Sequence, residues 1–114
     1  MSSPITTHVL DTALGSPAQQ LHICLDRVLD DGSLERVARG ATNQDGRITD
    51  LMEPGQLHPG IYQMTFETAA YFERTGREYF YPQVDVRFWI KNADEHYHVP
   101  LLLSPFGFST YRGS

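Results

Sequence analysis

A single cysteine in 114 residues, Cys24, excludes an intrachain disulfide framework. It sits in an apolar–polar alternation, where a buried, inert thiol is expected. No apolar run approaches the ~18 residues of a membrane span, so no membrane association is expected. Basic residues are few and scattered: Lys and Arg total 9 against 14 Asp and Glu, a formal charge of −5. That balance argues against nucleic acid, which calls for a clustered basic face. The start, Met1-Ser2-Ser3-Pro4-Ile5, lacks the charged and apolar regions of a secretory signal, and a cytoplasmic location is the expectation. Gly-x-Ser-x-Gly, phosphate-loop and dinucleotide fingerprints are missing, as are Cys pairs and His-Glu-x-x-His. With no repeat, linker or low-complexity stretch, residues 1–114 read as one domain with one core.

What is present is a period of two. Val84, Val86, Phe88 and Ile90 alternate with Asp85, Arg87, Trp89 and Lys91, as a strand with one core face does. Leu21, Ile23 and Leu25 alternate with His22, Cys24 and Asp26, and Tyr62, Met64 and Phe66 with Gln63, Thr65 and Glu67. Turn chemistry separates these runs at Gly15-Ser16-Pro17, Asp31-Gly32-Ser33, Asp45-Gly46, Pro54-Gly55, Pro59-Gly60 and Asn92-Ala93-Asp94. Asp31-Gly32 reads as a hairpin. Strands spaced this regularly predict an all-β sandwich or barrel. One stretch departs from the period: Thr68 to Gly76 reads as a short outer helix, with Thr68 as N-cap and Gly76 at the C-terminal end.

The last long strand carries Tyr97, Val99, Leu101 and Leu103 on its core face. Its other face carries His96, His98, Pro100 and Leu102, beginning polar and turning apolar, so something outside the core is expected to cover it. Pro100 cannot donate a ladder hydrogen bond, which favours an edge position, and an apolar face beside an edge suits a subunit contact.

Chemistry is concentrated at four places. His96 and His98 share one side of the strand, with Cα atoms roughly 6.5–7 Å apart. They could supply part of a zinc site, with His8, His22 or His58 as further candidates, but no spacing selects a third ligand. A neutral imidazole could equally accept a proton from water near neutral pH. His8, in Thr6-Thr7-His8-Val9-Leu10-Asp11, reads alone as a satisfied strand histidine. Arg47, after Asn43-Gln44-Asp45-Gly46, reads alone as a solvated turn arginine, although its fork of donors suits an anionic or carbonyl-rich ligand. Tyr111-Arg112-Gly113-Ser114 places a phenol, a guanidinium and a hydroxyl where a tail would ordinarily fray.

Together these pieces closely resemble the 5-hydroxyisourate hydrolase (transthyretin-like) family along essentially the whole chain. The matching motifs are Thr7-His8-Val9-Leu10-Asp11, Thr42-Asn43 through Asp45-Gly46-Arg47, and Phe80-Tyr81-Pro82. A further match runs from His96-Tyr97-His98-Val99-Pro100-Leu101-Leu102-Leu103-Ser104-Pro105 into Ser109-Thr110-Tyr111-Arg112-Gly113-Ser114. The terminal Tyr-Arg-Gly-Ser is the specific part, since the hormone-carrying transthyretins share the fold without it. Phe106 and Phe108 stand where tyrosines are common.

The resemblance implies a transthyretin-like β-sandwich of two four-stranded sheets with one short helix. It also implies a homotetramer, a dimer of dimers with sites between dimers. The implied reaction is hydrolytic opening of 5-hydroxyisourate to 2-oxo-4-hydroxy-4-carboxy-5-ureidoimidazoline in urate degradation, with no metal or other cofactor. The carried-over catalytic residues are His8, Arg47, His98 and Ser114. Tyr111 and Arg112 join His8 and Arg47 as substrate contacts, while His96 falls outside the usual catalytic set. In this reading His8 or His98 is the base, Arg47 orients substrate and stabilises developing charge, and Ser114 positions water or a histidine by its hydroxyl or carboxylate. The rivals are a non-enzymatic carrier of a small aromatic ligand in the tetramer channel and a zinc hydrolase using His8, His96 and His98.

Overall fold

Alternation is realised as two stacked sheets. A computed structural model describes residues 3–114. In chain order the elements are β1 (Ile5–Asp11), β2 (Ser16–Pro17), β3 (His22–Val28), β4 (Leu34–Ala41), β5 (Arg47–Ile48), β6 (Gly60–Phe66), α1 (Thr68–Arg74), β7 (Val84–Ile90), β8 (Tyr97–Ser104) and β9 (Gly107–Thr110). The first sheet runs β2-β1-β8-β9, with β5 also paired to β1; the second runs β4-β3-β6-β7. The four-stranded paths match the transthyretin-like expectation, and β5 makes the first sheet five-stranded.

The core lies between the sheets. Ile23, Leu25, Met64 and Phe66 of the second sheet and Ile5, Val9, Leu101 and Leu103 of the first are all essentially inaccessible to solvent. Burying a side chain of this size contributes about 1.5–3 kcal/mol, so the alternating face fixes the strand registers. Cys24, between Ile23 and Leu25, is half-buried and not buried as expected, because strand alternation turns it to the outer face of β3.

Asp31 and Gly32 form the expected hairpin between β3 and β4. Gly32 has φ 86°, and the Asp31 carboxylate accepts from the Ser33 amide at 2.9 Å. The helix forms over Thr68–Arg74, with Gly76 at φ 69° just beyond it. Thr68 is its first helical residue and not its cap; its hydroxyl donates to the Tyr81 carbonyl at 2.6 Å. Tyr71 and Phe72 bury the inner side of the helix.

The arrangement that matters most is at β1 and β8, which pair in parallel from Ile5↔Tyr97 to Asp11↔Leu103. β8 is therefore an interior strand, and Pro100 does not sit on an edge as its missing N–H suggested. The reason lies on the β9 side. Gly113 N donates to the His98 carbonyl at 2.9 Å, and Thr110 Oγ1 donates to the Pro100 carbonyl at 2.6 Å. Residues 98 and 100 thus face the same neighbour, and the regular ladder, whose end is Leu101↔Thr110, stops before Pro100 needs an amide. The tail itself, through Gly113, covers part of the half-apolar face.

Candidate functional site

Parallel register places the outward residues of β1 and β8 side by side: Thr6 opposite His98, and His8 opposite Pro100. On its other edge β1 pairs with β5, setting His8 opposite Arg47. Strand spacing and rise put the His8 and His98 Cα atoms roughly 8 Å apart on one face. A structured turn delivers Arg47. The Asn43 carboxamide oxygen accepts from the Asp45 amide at 2.9 Å and the Arg47 amide at 3.0 Å. Gly46 adopts φ 74°, and a Cβ there would lie 2.5 Å from the Val9 carbonyl. Only glycine lets the turn approach β1 this closely.

The tail supplies the opposite wall. A Cβ on Gly113 would lie 2.6 Å from His98 Cδ2 and 3.1 Å from Pro100 Cγ, so the tail backbone rests directly on the imidazole. A depression of about 240 Å³ results, lined by Thr6, Arg47, Thr49, His96, His98 and Ser114. His8 and His98 are half-buried, whereas Arg47 and Ser114 are exposed.

Tyr111 and Arg112 lie on the other side of His98. Within one chain they line a second cavity of about 420 Å³ with Val86, Phe88, Tyr97 and His98, so the two cavities meet at His98. The Arg112 guanidinium lies 4.4 Å from the Tyr97 ring centre and donates to Glu95 Oε1 at 2.9 Å and the His96 carbonyl at 3.2 Å. The four tail residues therefore flank His98 on two sides: Gly113 and Ser114 stand at the histidine cleft, while Tyr111 and Arg112 line the adjoining cavity, with Arg112 fastening the tail.

Electrostatics at the cleft favour neutral imidazoles. His98 titrates below its usual 6.5 because of burial, then the Arg47 charge, then His96 and His8. His8 is lowered by burial and by Arg47, with the Asp45 backbone and carboxylate pulling the other way. Two unprotonated rings beside a fixed cation can take a proton from a polarised water and stabilise an oxyanion. Among the described residues no group of three or more His, Cys, Asp or Glu is arranged to hold a metal ion. The sequence names Gly113 only as part of the terminal motif and gives Thr6 and Asn43 no site role; Asn43 lies inside a matching motif and Thr6 directly precedes one, which was the visible signal.

Fold and cleft together define a transthyretin-like β-sandwich with a polar, histidine-bearing outer face. A family model described as the HIUase/Transthyretin family matches residues 5–113, and the chain belongs to that family. It is 48% identical over 114 residues to the 5-hydroxyisourate hydrolase of Mus musculus, covering 99% of this chain and 97% of that one. The solved 5-hydroxyisourate hydrolase of Klebsiella pneumoniae superposes with TM-score 0.84 at 39% identity, over 96% of this chain and 97% of that one. Sea bream transthyretin, solved in complex with thyroxine, superposes with TM-score 0.91 at 30% identity, over 97% of this chain and 95% of that one. Backbone likeness and sequence identity rank these two structures in opposite order. The fold alone thus does not choose between their activities, and the side chains of the cleft must.

Proposed function

We propose that this chain hydrolyses 5-hydroxyisourate, opening its six-membered ring to 2-oxo-4-hydroxy-4-carboxy-5-ureidoimidazoline in urate degradation, from a cytoplasmic location. The observation that carries the reading is the meeting of Arg47, His98 and Ser114 around one small cleft with His8 on the same face. An aromatic ligand held passively calls for a wall of apolar side chains, and this one is lined by threonine, histidine, arginine and serine. The identity to the hydrolases supports the same choice.

In this mechanism an imidazole, His98 or His8, takes a proton from water as the water oxygen bonds to the ring carbonyl carbon. Arg47 holds the planar substrate and the oxyanion through its fork of donors. The carbon–nitrogen bond then breaks, its electron pair stays on the ring nitrogen, and that nitrogen takes a proton. Ser114 positions the water. Tyr111 and Arg112 contact the substrate from the adjoining cavity at His98, and Arg112 also holds the tail that closes the cleft. One chain leaves the cleft open to solvent at Arg47, which supports a homotetramer, a dimer of dimers, in which another subunit covers it.

The decisive experiment follows the absorbance of freshly generated 5-hydroxyisourate. His98→Ala is expected to lower turnover ~10²–10⁴-fold, the range for loss of a general base. Near-normal turnover in both His98→Ala and His8→Ala would end the reading. A tetramer that binds an aromatic ligand but shows no turnover would favour the carrier.

A further inference from the structure

The Thr6 hydroxyl stands between two imidazoles. Its oxygen lies 2.8 Å from His98 Nδ1 and 3.1 Å from His96 Nε2. The ring centres are 6.5 Å apart and nearly parallel, so the rings do not hydrogen-bond directly. Thr6 is 7% exposed, while His96 reaches solvent.

A hydroxyl has one proton. Thr6 can therefore donate to one ring and must accept from the other, which locks the two tautomers together. When Thr6 donates to His96 Nε2, His98 carries its proton on Nδ1 and its Nε2 holds a bare lone pair. When Thr6 donates to His98 Nδ1, the His98 proton sits on Nε2 and the ring cannot act as a base. His96 then carries a proton on Nε2.

We propose that Thr6 is the positioning residue for His98, and that the line His98–Thr6–His96 carries the water proton out to solvent-exposed His96. This rests on the hydrolase reading above. His98 Nε2 takes the proton from water as the oxygen–carbon bond forms. The Nδ1 proton passes to Thr6 Oγ1, and the Thr6 proton passes to His96 Nε2. His96 becomes an imidazolium, the substrate carries the matching negative charge, and His98 is neutral again with its proton on Nε2. As the carbon–nitrogen bond breaks, that N–H gives its proton to the leaving nitrogen while the two transfers through Thr6 reverse, returning a proton to His98 Nδ1 and leaving His96 neutral. One ring thus serves as base and then acid without remaining charged.

The surroundings explain the direction of transfer. Arg47 from β5, His8 from β1 and His96 just before β8 all disfavour charge on half-buried His98, and Ser114 of the tail faces the same cleft. His96 lies at the solvent end of the line, and its neighbour Glu95 is an acceptor for Arg112.

Thr6→Val keeps the shape and removes the hydroxyl; Thr6→Ser restores it. Turnover in Thr6→Val is expected to fall ~10–100-fold, the usual scale for a partner that orients a reacting histidine, with KM unchanged. Thr6→Ser should recover most of it, and His96→Gln should lower kcat without changing KM. Independently of activity, long-range ¹H–¹⁵N spectra near pH 7.5 should show the wild-type His98 proton on Nδ1 and a shift toward Nε2 in Thr6→Val. Wild-type kcat and an unchanged tautomer in Thr6→Val would overturn the proposal, as would a Thr6→Ser variant no better than Thr6→Val. Either result beside an inactive His98→Ala removes the relay alone. An active His98→Ala removes His98 as the base, and with it the relay; activity in both histidine variants removes the hydrolase reading as well.

Discussion

The two faces of the β1–β8 pair share a backbone and little else. Inward, Ile5, Val9, Leu101 and Leu103 are dry, and even the polar members are fully tied: Thr7 Oγ1 donates to the Val99 carbonyl at 2.7 Å. Asp11 ends that inner row with no exposed surface, accepting from Tyr71 Oη at 2.8 Å, from Arg77, and from the Ala13 and Leu14 amides at 3.1 Å each. Outward, one residue along, Thr6, His8 and His98 surround open space and hold groups whose protonation can change. The same strand alternation that builds a core thus builds a reactive wall, and the difference lies in whether the polar groups face a sealed interior or a cleft open to solvent.

Breaking the inner face should cost stability and leave chemistry intact. Asp11→Asn keeps the volume but removes the charge that Arg77 and Tyr71 meet, and Tyr71 is so committed to that carboxylate that burial and the bond push its pKa to about 12. Removing one partner of a buried pair costs 3–5 kcal/mol; Arg77 retains some solvent contact, so about 3 kcal/mol is expected in denaturant unfolding. Turnover per folded molecule should stay within a factor of about two, a change of only ~0.4 kcal/mol in barrier. A large fall in turnover without a change in stability would show that the two faces are not separable.

Breaking the outer face should do the opposite. Gly113→Ala forces a Cβ into the space of His98 Cδ2 and must turn the imidazole or lift the tail. A misplacement of ~1 Å at a reacting group can cost ~10²-fold in rate, and that loss is expected in kcat. The melting temperature should barely move, because the residue lies beyond the end of β9 and outside the core. Wild-type kcat in this variant would mean that the tail does not set the histidine.

How far the sequence reached follows from the same contrast. Core faces were legible because alternation repeats over seven or eight residues, as in β3, β6 and β8. Ser16, Pro17 and Arg47 read as turn residues in the sequence: two residues have no period, and Ser16–Pro17 and Arg47–Ile48 become strands only by pairing with β1. The residues His8, Arg47, His98 and Ser114 were named from motif resemblance, because strand order, not spacing, brings them onto one face. The division of the tail was illegible for a further reason. A backbone turning over Pro100 sends Arg112 toward Tyr97 and Ser114 toward the cleft, and composition carries no record of that path.

Acid should separate the faces without any substitution. His8 and His98 are both held below 6.5 in the fold, so the unfolded chain takes up protons first as pH falls. Their contribution to stability is full above about 6.5, the unfolded value, and is lost as pH drops through the folded values. Asp11 is also lowered: burial pushes its carboxyl up, but the hydrogen bonds from Arg77, Tyr71 and the Leu14 amide outweigh it. Its contribution is full above 3.8 and is lost only below that. Acid titration of unfolding free energy should therefore show an outer-face loss beginning near pH ~6.5, accompanied by falling turnover, and a separate inner-face loss starting below pH ~4. His8→Gln combined with His98→Gln should erase the first and leave the second. If the double variant keeps the upper loss, the cleft imidazoles are not its source, and the outer face is less strained by protonation than its crowding with Arg47 implies.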